Sequence, residues 1–231
     1  MKITCCICAH NPMRSKERAA WFMQALLSSR PFDQVIVCIQ GDYDKKMVKM
    51  MAPEARVVVP KKHLCAEEAF LFASQHATND WITVGCDDDY YAPDNVRVLQ
   101  QSNVQEGNPG VIYFPYYVIK PEEKPVGFGV HWPPPAPFTM EQLVQYNFIS
   151  TAAVVHKDVL KKTGGWRYRD DEAGDWSLWI RAKREGFPFA YFPLPLYYQR
   201  FFSTSGFQQQ VARVGIDVIT NRAKELANGT K

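Results

Sequence analysis

The fold of this chain is decided by the stretch Trp81-Ile-Thr-Val-Gly-Cys-Asp87-Asp88-Asp89-Tyr-Tyr-Ala-Pro93. Its short apolar run, rich in β-branched residues, predicts a buried strand that stops at three adjacent carboxylates. Pro93 suits the first turn of a following helix, predicted over residues 93–104. Adjacent carboxylates repel one another unless a cation lies among them, and a hard divalent ion with oxygen ligands is the usual solution. The alternative is a solvated acidic turn with an aspartate capping the helix, but the end of a buried strand favours a site.

Length and composition bound the class of protein. A chain of 231 residues fits one α/β domain, or one domain with a small appendage. A hydrophobic fraction of 46% with 22% charged residues is ordinary for a soluble protein with a substantial core. The net charge of +3 is too small to indicate nucleic acid or a membrane surface by itself.

The six cysteines fall mostly inside apolar, strand-like runs. Cys5-Cys6-Ile-Cys8 resembles half of a zinc site, but no second Cys/His pair follows at ligand spacing. We therefore expect buried free thiols and a reducing compartment. The sequence has no signal peptide and no apolar run long enough to span a bilayer, so the prediction is a cytoplasmic protein without a transmembrane segment.

The first half of the chain alternates strands with helices. We predict strands over residues 2–8, 34–40, 56–59 and 81–86, and helices over residues 15–29, 45–51 and 65–77. Helical crossovers of this length imply parallel strands, whose carboxyl ends form ligand sites. The segments His10-Asn11-Pro12, Gln40-Gly41-Asp42 and Asp87–Asp89 should therefore converge. Neither Gly-x-Gly-x-x-Gly nor a P-loop motif is present, which argues against a dinucleotide or P-loop site of the usual kind.

The second half has a different character. We predict strands over residues 110–119 and 149–156, two short strands within residues 187–200, and helices over residues 139–146, 157–163, 174–185 and 207–227. Between them, residues 120–138 are dense in proline and glycine and contain His131 and Trp132. A long loop of this kind predicts a lid or binding loop, with a surface excursion of no function as the alternative.

A second charged feature is Asp175, which follows Gly174 and precedes Trp176 where a helix should begin. A carboxylate at this point caps a helix in many proteins. Beside tryptophans it also suits a general base in a partly apolar pocket. The residue pattern leaves both roles open.

Four segments, in this order and spacing, resemble the family 2 inverting glycosyltransferases of GT-A fold. They are His10-Asn11-Pro12, the stretch from Asp87 to Pro93, the pair Gly164-Gly165-Trp166 and Gly174-Asp175-Trp176-Ser-Leu-Trp179-Ile-Arg181, and Tyr197-Tyr-Gln-Arg200. The family's bacterial spore-coat polysaccharide transferases are similar in having Gly-Asp at the base position. The resemblance implies a single α/β GT-A domain over residues 1–231, with a Rossmann-like, mainly parallel central sheet flanked by helices. Residues 1–109 would form the nucleotide-sugar half, and residues 110–231 the acceptor half with a C-terminal helix.

The resemblance also implies a role for each carboxylate. Asp88 would bind a divalent ion, Mn²⁺ or Mg²⁺, that bridges the donor diphosphate. Asp87 would contact the donor ribose or the ion, and Asp89 would complete the metal group. Asp175 would take the proton of the acceptor hydroxyl, because an alcohol needs a carboxylate to deprotonate it as it attacks the anomeric carbon.

The remaining predicted site residues divide between donor and acceptor. His10 and Asn11 would pack on the nucleotide base, and Gln40 could pair with its edge. Arg14 or Arg200 would contact phosphate, with a solvated surface charge as the alternative for either. On the acceptor side the candidates are His131, Trp132 and Trp176.

The chain also departs from the family pattern. Ile39 and Gln40 stand where paired aspartates are usual, so a uridine preference does not follow. Phe202 stands where a histidine often follows the late arginine. Two other classes remain open: a metal-dependent nucleotidyltransferase or phosphotransferase, and a non-catalytic nucleotide-sugar or glycan-binding module. A glycan is the default acceptor, and a modified DNA base or a protein side chain are the alternatives.

Overall fold

The structure, a computed structural model, describes residues 1–123, 126–203 and 206–229. The strands are β1 (Ile3–His10), β2 (Gln34–Gln40), β3 (Arg56–Val58), β4 (Trp81–Cys86), β5 (Tyr90–Tyr91), β6 (Val111–Tyr113), β7 (Tyr116–Lys120), β8 (Gly127–His131), β9 (Val154–His156), β10 (Phe189–Tyr191) and β11 (Tyr197–Arg200). The helices are α1 (Lys16–Ser28), α2 (Lys45–Met51), α3 (Ala66–Ser74), α4 (Pro93–Gln101), α5 (Met140–Gln145), α6 (Lys157–Thr163), α7 (Gly174–Arg184), α8 (Gly206–Val214) and α9 (Ile216–Ala227).

A seven-stranded sheet in the order β10-β6-β9-β4-β1-β2-β3 forms the centre of the fold. Strands β3, β2, β1 and β4 are mutually parallel, β9 runs antiparallel to both β4 and β6, and β6 pairs with β10 in parallel. The predicted mainly parallel α/β architecture is confirmed. Its strands are continuous apolar runs because helices cover both faces of the sheet.

The alternation of side chains along β2 divides the core into two clusters. Ile36 and Cys38 belong to the cluster on one face of the sheet, whereas Val35, Val37 and Ile39 belong to the other. This is the period-two geometry of a strand buried on both sides. The six cysteines are free thiols, as expected.

A second sheet of four strands, in the order β5-β11-β7-β8, was not predicted. The predicted strand over residues 110–119 is wrong as a single element, because it divides at Phe114-Pro115 into β6 and β7, which belong to different sheets. Proline lacks the N–H that a continuous ladder requires. The predicted loop over residues 120–138 contains β8, which forms an antiparallel hairpin with β7. Two residues of that loop, 124 and 125, lie outside the described residues.

Two further element predictions need correction. The predicted strand over residues 149–156 is reduced to β9, because a turn precedes it in which the Ala153 N–H donates to the Ser150 carbonyl at 3.0 Å. The predicted terminal helix over residues 207–227 is broken at Gly215, whose φ of 89° is accessible mainly to glycine. Its two parts are α8 and α9.

A buried ion network joins the end of the chain to α7. Glu172 receives hydrogen bonds from Arg181 at 3.2 Å and from Arg222 of α9 at 3.1 Å, and all three residues are almost fully buried. Buried charges are tolerated only when paired in this way, so the network fixes the segment that leads into α7. None of the described helices is long and apolar enough to cross a membrane.

Candidate functional site

The three predicted strand ends converge at one edge of the central sheet. The His10 N–H at the end of β1 donates to Asp87 at 3.2 Å, and the Asn11 N–H donates to the Gln40 carbonyl at 2.8 Å. Gly41 has a φ of 84°, a conformation that favours glycine, and an added Cβ would lie 1.7 Å from the Asn11 side-chain oxygen. The result is a common edge formed by β1, β2 and β4.

The three aspartates of the triplet have different environments. Asp87 and Asp89 are buried, with 5% and 7% of their surface exposed, whereas Asp88 is half-buried. Asp89 accepts hydrogen bonds from the Tyr197 hydroxyl at 3.0 Å and from the Arg200 N–H at 2.7 Å. Asp89 therefore ties the triplet to β11, while Asp88 is the most accessible of the three carboxylates.

Two arginines supply the positive charge that the triplet requires. Arg18 of α1 lies 2.5 Å from Asp87 and 2.8 Å from Asp88. The Arg200 guanidinium donates to the Asp88 carbonyl and packs over Trp21, 5.1 Å from the ring centroid. The expected cation beside these carboxylates is therefore present in the form of two arginine side chains, where the sequence analysis had named a divalent ion as the usual solution.

Arg18 was missed at the level of sequence because it lies in a helix outside every quoted motif. The usable indication was its position: Ser15 caps the helix that follows β1, so the first turn lies next to the strand ends. Long side chains of a helix lean toward its N-terminus, which brings Arg18 to the carboxylates.

Burial raises the pKa values of the inner two carboxyls. The pKa of Asp87 is raised to about 6 by burial, with the Arg18 charge opposing the shift and the Asp88 charge adding to it. The pKa of Asp89 is raised well above its usual value by burial and by the charge of Asp88. Charge on these groups is therefore costly unless a cation approaches.

The metal-ligating atoms at this edge suit a hard divalent ion, which two carboxylates would bind. Ligand atoms of Cys86, Asp88 and Asp89 lie within 4.8 Å of one another. Carboxylate oxygens suit Mg²⁺ and Mn²⁺, whereas a thiol suits softer metals. Burial and the three neighbouring aspartates raise the pKa of Cys86 well above its usual value, so it stays protonated. Asp87 is not part of this group.

Asp175 lies in the first turn of α7, where its carboxylate is fixed by neutral donors. It accepts from the Thr151 hydroxyl at 2.6 Å and from the Trp176 N–H at 2.7 Å. Ala173 is the N-cap residue, so Asp175 does not occupy the cap position itself. Burial raises the pKa of Asp175, while its hydrogen bonds oppose the shift.

Glu67 of α3 is a second carboxylate beside Asp175. An added Cβ at Gly174 would lie 2.2 Å from the Glu67 Cγ, so glycine leaves the space that this side chain fills. The pKa of Glu67 is raised by burial first and also by the charge of Asp175. Nothing in the sequence around Glu67 indicated that it lies beside Asp175, because no motif includes it.

The acceptor candidates have different positions. His131 packs on Tyr116 of the neighbouring strand, with ring centroids 4.8 Å apart, and Trp132 is 61% exposed. Trp176 is only 4% exposed and its indole N–H donates to the Leu143 carbonyl at 2.6 Å. The prediction that Trp176 contacts an acceptor is corrected, because its ring belongs to the core and anchors α7.

Contacts connect the Asp triplet to Asp175 along one side of the edge. The rings of His10 and His63 lie 4.9 Å apart. The Gln40 side chain donates to the Leu64 carbonyl at 3.1 Å and accepts from the Leu64 N–H at 2.6 Å. These contacts of residues 63 and 64 fix the position of the segment that continues into α3 and Glu67. Both polar groups of the Gln40 amide are engaged by Leu64. The predicted contact of Gln40 with the nucleotide base would therefore have to compete with these two hydrogen bonds.

A second connection runs along the other side of the edge, through β11 and β7. Tyr197, which donates to Asp89, is the register partner of Tyr116 between β11 and β7. The pKa of Tyr116 is raised by burial and by the charge of Asp175. Asp88, Asp89 and Asp175 therefore border a common edge of the fold.

Arg14 is exposed in the turn after β1, and its N–H donates to the Asn11 carbonyl at 3.1 Å.

The fold is similar to solved glycosyltransferase structures. The chain superposes on S. aureus TarS 1-349 in complex with UDP with a TM-score of 0.67 at 12% identity, covering 100% of this chain and 70% of that one. The complex with UDP-GlcNAc gives 0.68 at 13% identity, covering 100% and 71%. A structure of S. aureus TarS gives 0.66 at 12% identity, covering 100% of this chain and 43% of that chain.

These comparisons establish a glycosyltransferase-like fold of GT-A type. No family model matches the chain, and no curated protein matches it in sequence. The likeness extends to the fold and not to the spore-coat polysaccharide transferases in particular.

Proposed function

We propose that this chain is a metal-dependent inverting glycosyltransferase, which moves a sugar from a nucleoside-diphosphate sugar to an acceptor hydroxyl. The observation that carries the proposal is the line of contacts that runs from the triplet Asp87–Asp89 through His10 and residues 63 and 64 to Glu67, which fills the space beside Gly174 and Asp175. The fold supports the class, and the two carboxylate groups supply the two chemical tasks of the reaction. The TarS complexes named above bind UDP and UDP-GlcNAc, which supports a nucleotide-sugar donor here.

The donor would lie across the ends of β1, β2 and β4. His10 and Asn11 would border the base, and Asp88 and Asp89 would hold a divalent ion, Mn²⁺ or Mg²⁺. Such an ion stabilises the negative charge that grows on a leaving nucleoside diphosphate. Arg18 and Arg200 add fixed positive charge around Asp88, and Arg14 lies exposed at the rim of the same edge.

Asp175 would act as the general base. Its Thr151 and Trp176 hydrogen bonds hold the carboxylate at the start of α7, where the helix dipole favours the charged form. The acceptor oxygen gives its proton to Asp175 as it attacks the anomeric carbon, and the bond to the diphosphate oxygen breaks on the opposite face. Because displacement is direct, the anomeric configuration inverts and no enzyme nucleophile is needed.

The proposal is tested by a thermal-shift screen of nucleoside diphosphates with and without Mn²⁺. A ligand that binds the native state raises the melting temperature. We expect one nucleoside diphosphate to stabilise the wild-type protein only when Mn²⁺ is present, and the Asp88→Asn variant to lose this response. A protein that responds to no nucleoside diphosphate, with or without the ion, would contradict the proposal.

A further inference from the structure

Strand β8 forms an open edge of the second sheet. It is the last strand in the order β5-β11-β7-β8, and β7 is its only partner among the strands of the described chain. The outer N–H and C=O groups of such a strand are a template for another strand. Proteins usually protect an edge with a charged side chain or a proline, but residues 126–132 contain no lysine, arginine, carboxylate or proline.

The exposed apolar side chains of this edge lie on one face of the sheet. Because side chains alternate along a strand, the face that bears Tyr117 also bears four residues of the edge: Val126, Phe128, Val130 and Trp132. Val126 is 58% exposed, Phe128 65% and Trp132 61%. These three residues expose on the order of 300 Å² of mainly apolar surface, which is comparable with the patches that mark interaction sites on monomers.

Phe128 is the outer end of a ladder of stacked rings that crosses the sheet. The Phe128 and Tyr117 ring centroids lie 5.6 Å apart, and those of Tyr117 and Tyr198 lie 4.2 Å apart. The ladder continues from Tyr198 to Tyr90, whose centroids are 4.3 Å apart. Each of the four strands contributes one ring, and Tyr90 directly follows Asp89. At the edge the ladder stops with a ring that has one stacking partner and is mostly exposed.

The residues of the edge match themselves in one antiparallel register. When Gly129 lies opposite Gly129 of a second copy, Phe128 lies opposite Val130 of that copy, and Val126 lies opposite its Trp132. Pairs of aromatic and β-branched side chains stabilise a sheet. The two Phe128 rings become diagonal neighbours, roughly 7–8 Å apart, which is within the reach of aromatic side chains. Since residues 126–132 carry no charged side chain of the lysine, arginine or carboxylate type, no like charges meet along this contact.

We infer that the protein is a homodimer in which β8 of each copy pairs antiparallel with β8 of the other, so that the two second sheets form one continuous sheet. The partner is a second copy because this register places every exposed apolar residue of the edge opposite an apolar residue of the same edge. A patch that meets its own copy gives a closed twofold dimer. The inference concerns assembly and is independent of the proposed function.

The oligomeric state is measured by analytical ultracentrifugation of the full-length protein over a series of concentrations. Phe128→Lys introduces two like charges at the diagonal contact and removes the apolar rings from it. The matched control is Phe207→Lys, which makes the same change at a side chain of α8 that is 40% exposed. We expect wild type and Phe207→Lys to dimerise with equal dissociation constants, and Phe128→Lys to dimerise about tenfold or more weakly. Melting curves verify that both variants fold.

A cysteine at the centre of the register tests the pairing itself. An added Cβ at Gly129 would meet nothing within 4 Å, so Gly129→Cys fits the single copy. Directly opposite Cα atoms of an antiparallel pair lie about 4.5–5.5 Å apart, which suits a disulfide. Diamide, which takes up the two hydrogens of the thiols, should therefore convert Gly129→Cys to a covalent dimer on a non-reducing gel. The control is Gly206→Cys, whose site is equally open and which should remain a single chain.

Three results would overturn the inference. The first is a wild-type protein that stays monomeric at every concentration, including one that binds a strand of another protein at this edge. The second is a dimer whose dissociation constant is the same in Phe128→Lys as in Phe207→Lys. The third is equal cross-linking of Gly129→Cys and Gly206→Cys, because the two edges would then not meet at Gly129.

Discussion

The hydroxyl of Thr151 donates a hydrogen bond of 2.6 Å to the carboxylate of Asp175. The second carboxylate oxygen accepts from the Trp176 N–H at 2.7 Å, so the group is oriented before any substrate binds. A base held in this way loses little entropy on reaction, which is the advantage of a preorganised site.

Replacing Asp175 by Asn should remove the base and keep the fold. The amide retains the size and a hydrogen-bond acceptor for Thr151 but takes no proton. General-base catalysis contributes about 10²–10⁴-fold, so transfer should fall by about that factor while donor affinity stays unchanged. Steady-state kinetics and calorimetric titration of the donor measure the two effects.

The matched control is Asp170→Asn, since Asp170 is exposed and paired with Arg213 at 2.6 Å. Its transfer rate should equal that of wild type. If Asp175→Asn transfers sugar at the wild-type rate, the residue has only a structural role in α7.

The pH profile offers a test of the Glu67–Asp175 contact. Protonation of Asp175 should lower the rate on acidification, and burial places this fall above the pH expected for an exposed aspartate. Removing the negative charge of Glu67 makes Asp175 easier to ionise. Glu67→Gln should therefore move the acidic limb of kcat to lower pH.

Glu68→Gln is the control for this shift. Glu68 lies next to Glu67 in the first turn of α3, and its carboxylate accepts from the Cys65 N–H at 3.1 Å. Glutamine preserves that helix cap, so the limb should stay in place. A limb that is identical in wild type and Glu67→Gln would show that the two carboxylates do not influence each other.

Arg18 should stabilise the protein when donor and metal are absent. Arg18→Gln leaves Asp87 buried with less compensation, and an incompletely paired buried group costs about 1–3 kcal/mol. We expect the melting temperature of Arg18→Gln to be several degrees lower than that of wild type at neutral pH. Added Mg²⁺ should restore part of this difference. The exposed pair Arg97–Asp94 supplies the control, because Arg97→Gln should change stability by no more than about 0.5 kcal/mol. Equal melting temperatures for Arg18→Gln and Arg97→Gln would contradict this role.

Asp88→Asn should separate metal binding from folding. Asp88 is the more accessible carboxylate of the candidate metal group, so its loss should abolish Mn²⁺-dependent nucleotide affinity without unfolding the chain. Isothermal titration with a nucleoside diphosphate, with and without Mn²⁺, measures the difference. Unchanged Mn²⁺-dependent affinity would exclude Asp88 as a ligand.

The sequence predicted the parallel half of the fold well because its strands are continuous apolar runs separated by helices. Strand β2 and helix α2 have the predicted bounds, and Pro93 begins α4 as expected. The second half was harder, since proline and glycine divide its elements. Pro115 separates β6 from β7, and Gly215 separates α8 from α9, so local patterns suggested one element where there are two.

The candidate site was predictable where it lies at strand ends, and less so where it depends on tertiary contact. The convergence of His10, Gln40 and the Asp triplet followed from parallel topology alone. The contacts of Arg18 with Asp87 and of Glu67 with Gly174 join segments far apart in the chain. Neither contact has a local pattern. Trp176 was predicted to lie on the acceptor side, whereas packing buries its ring in the core.

The central claim is tested most directly by ³¹P NMR of the wild-type protein with Mg²⁺ and a panel of nucleotide sugars and nucleoside triphosphates. Our account predicts that one nucleotide sugar is converted slowly to its nucleoside diphosphate by hydrolysis, that the conversion requires the ion, and that the triphosphates remain intact. Release of pyrophosphate from a triphosphate, with every nucleotide sugar unchanged, would contradict the account and indicate a nucleotidyltransferase. Spectra in which neither a nucleotide sugar nor a triphosphate is consumed would also contradict the account. The remaining interpretation would then be a non-catalytic binding module.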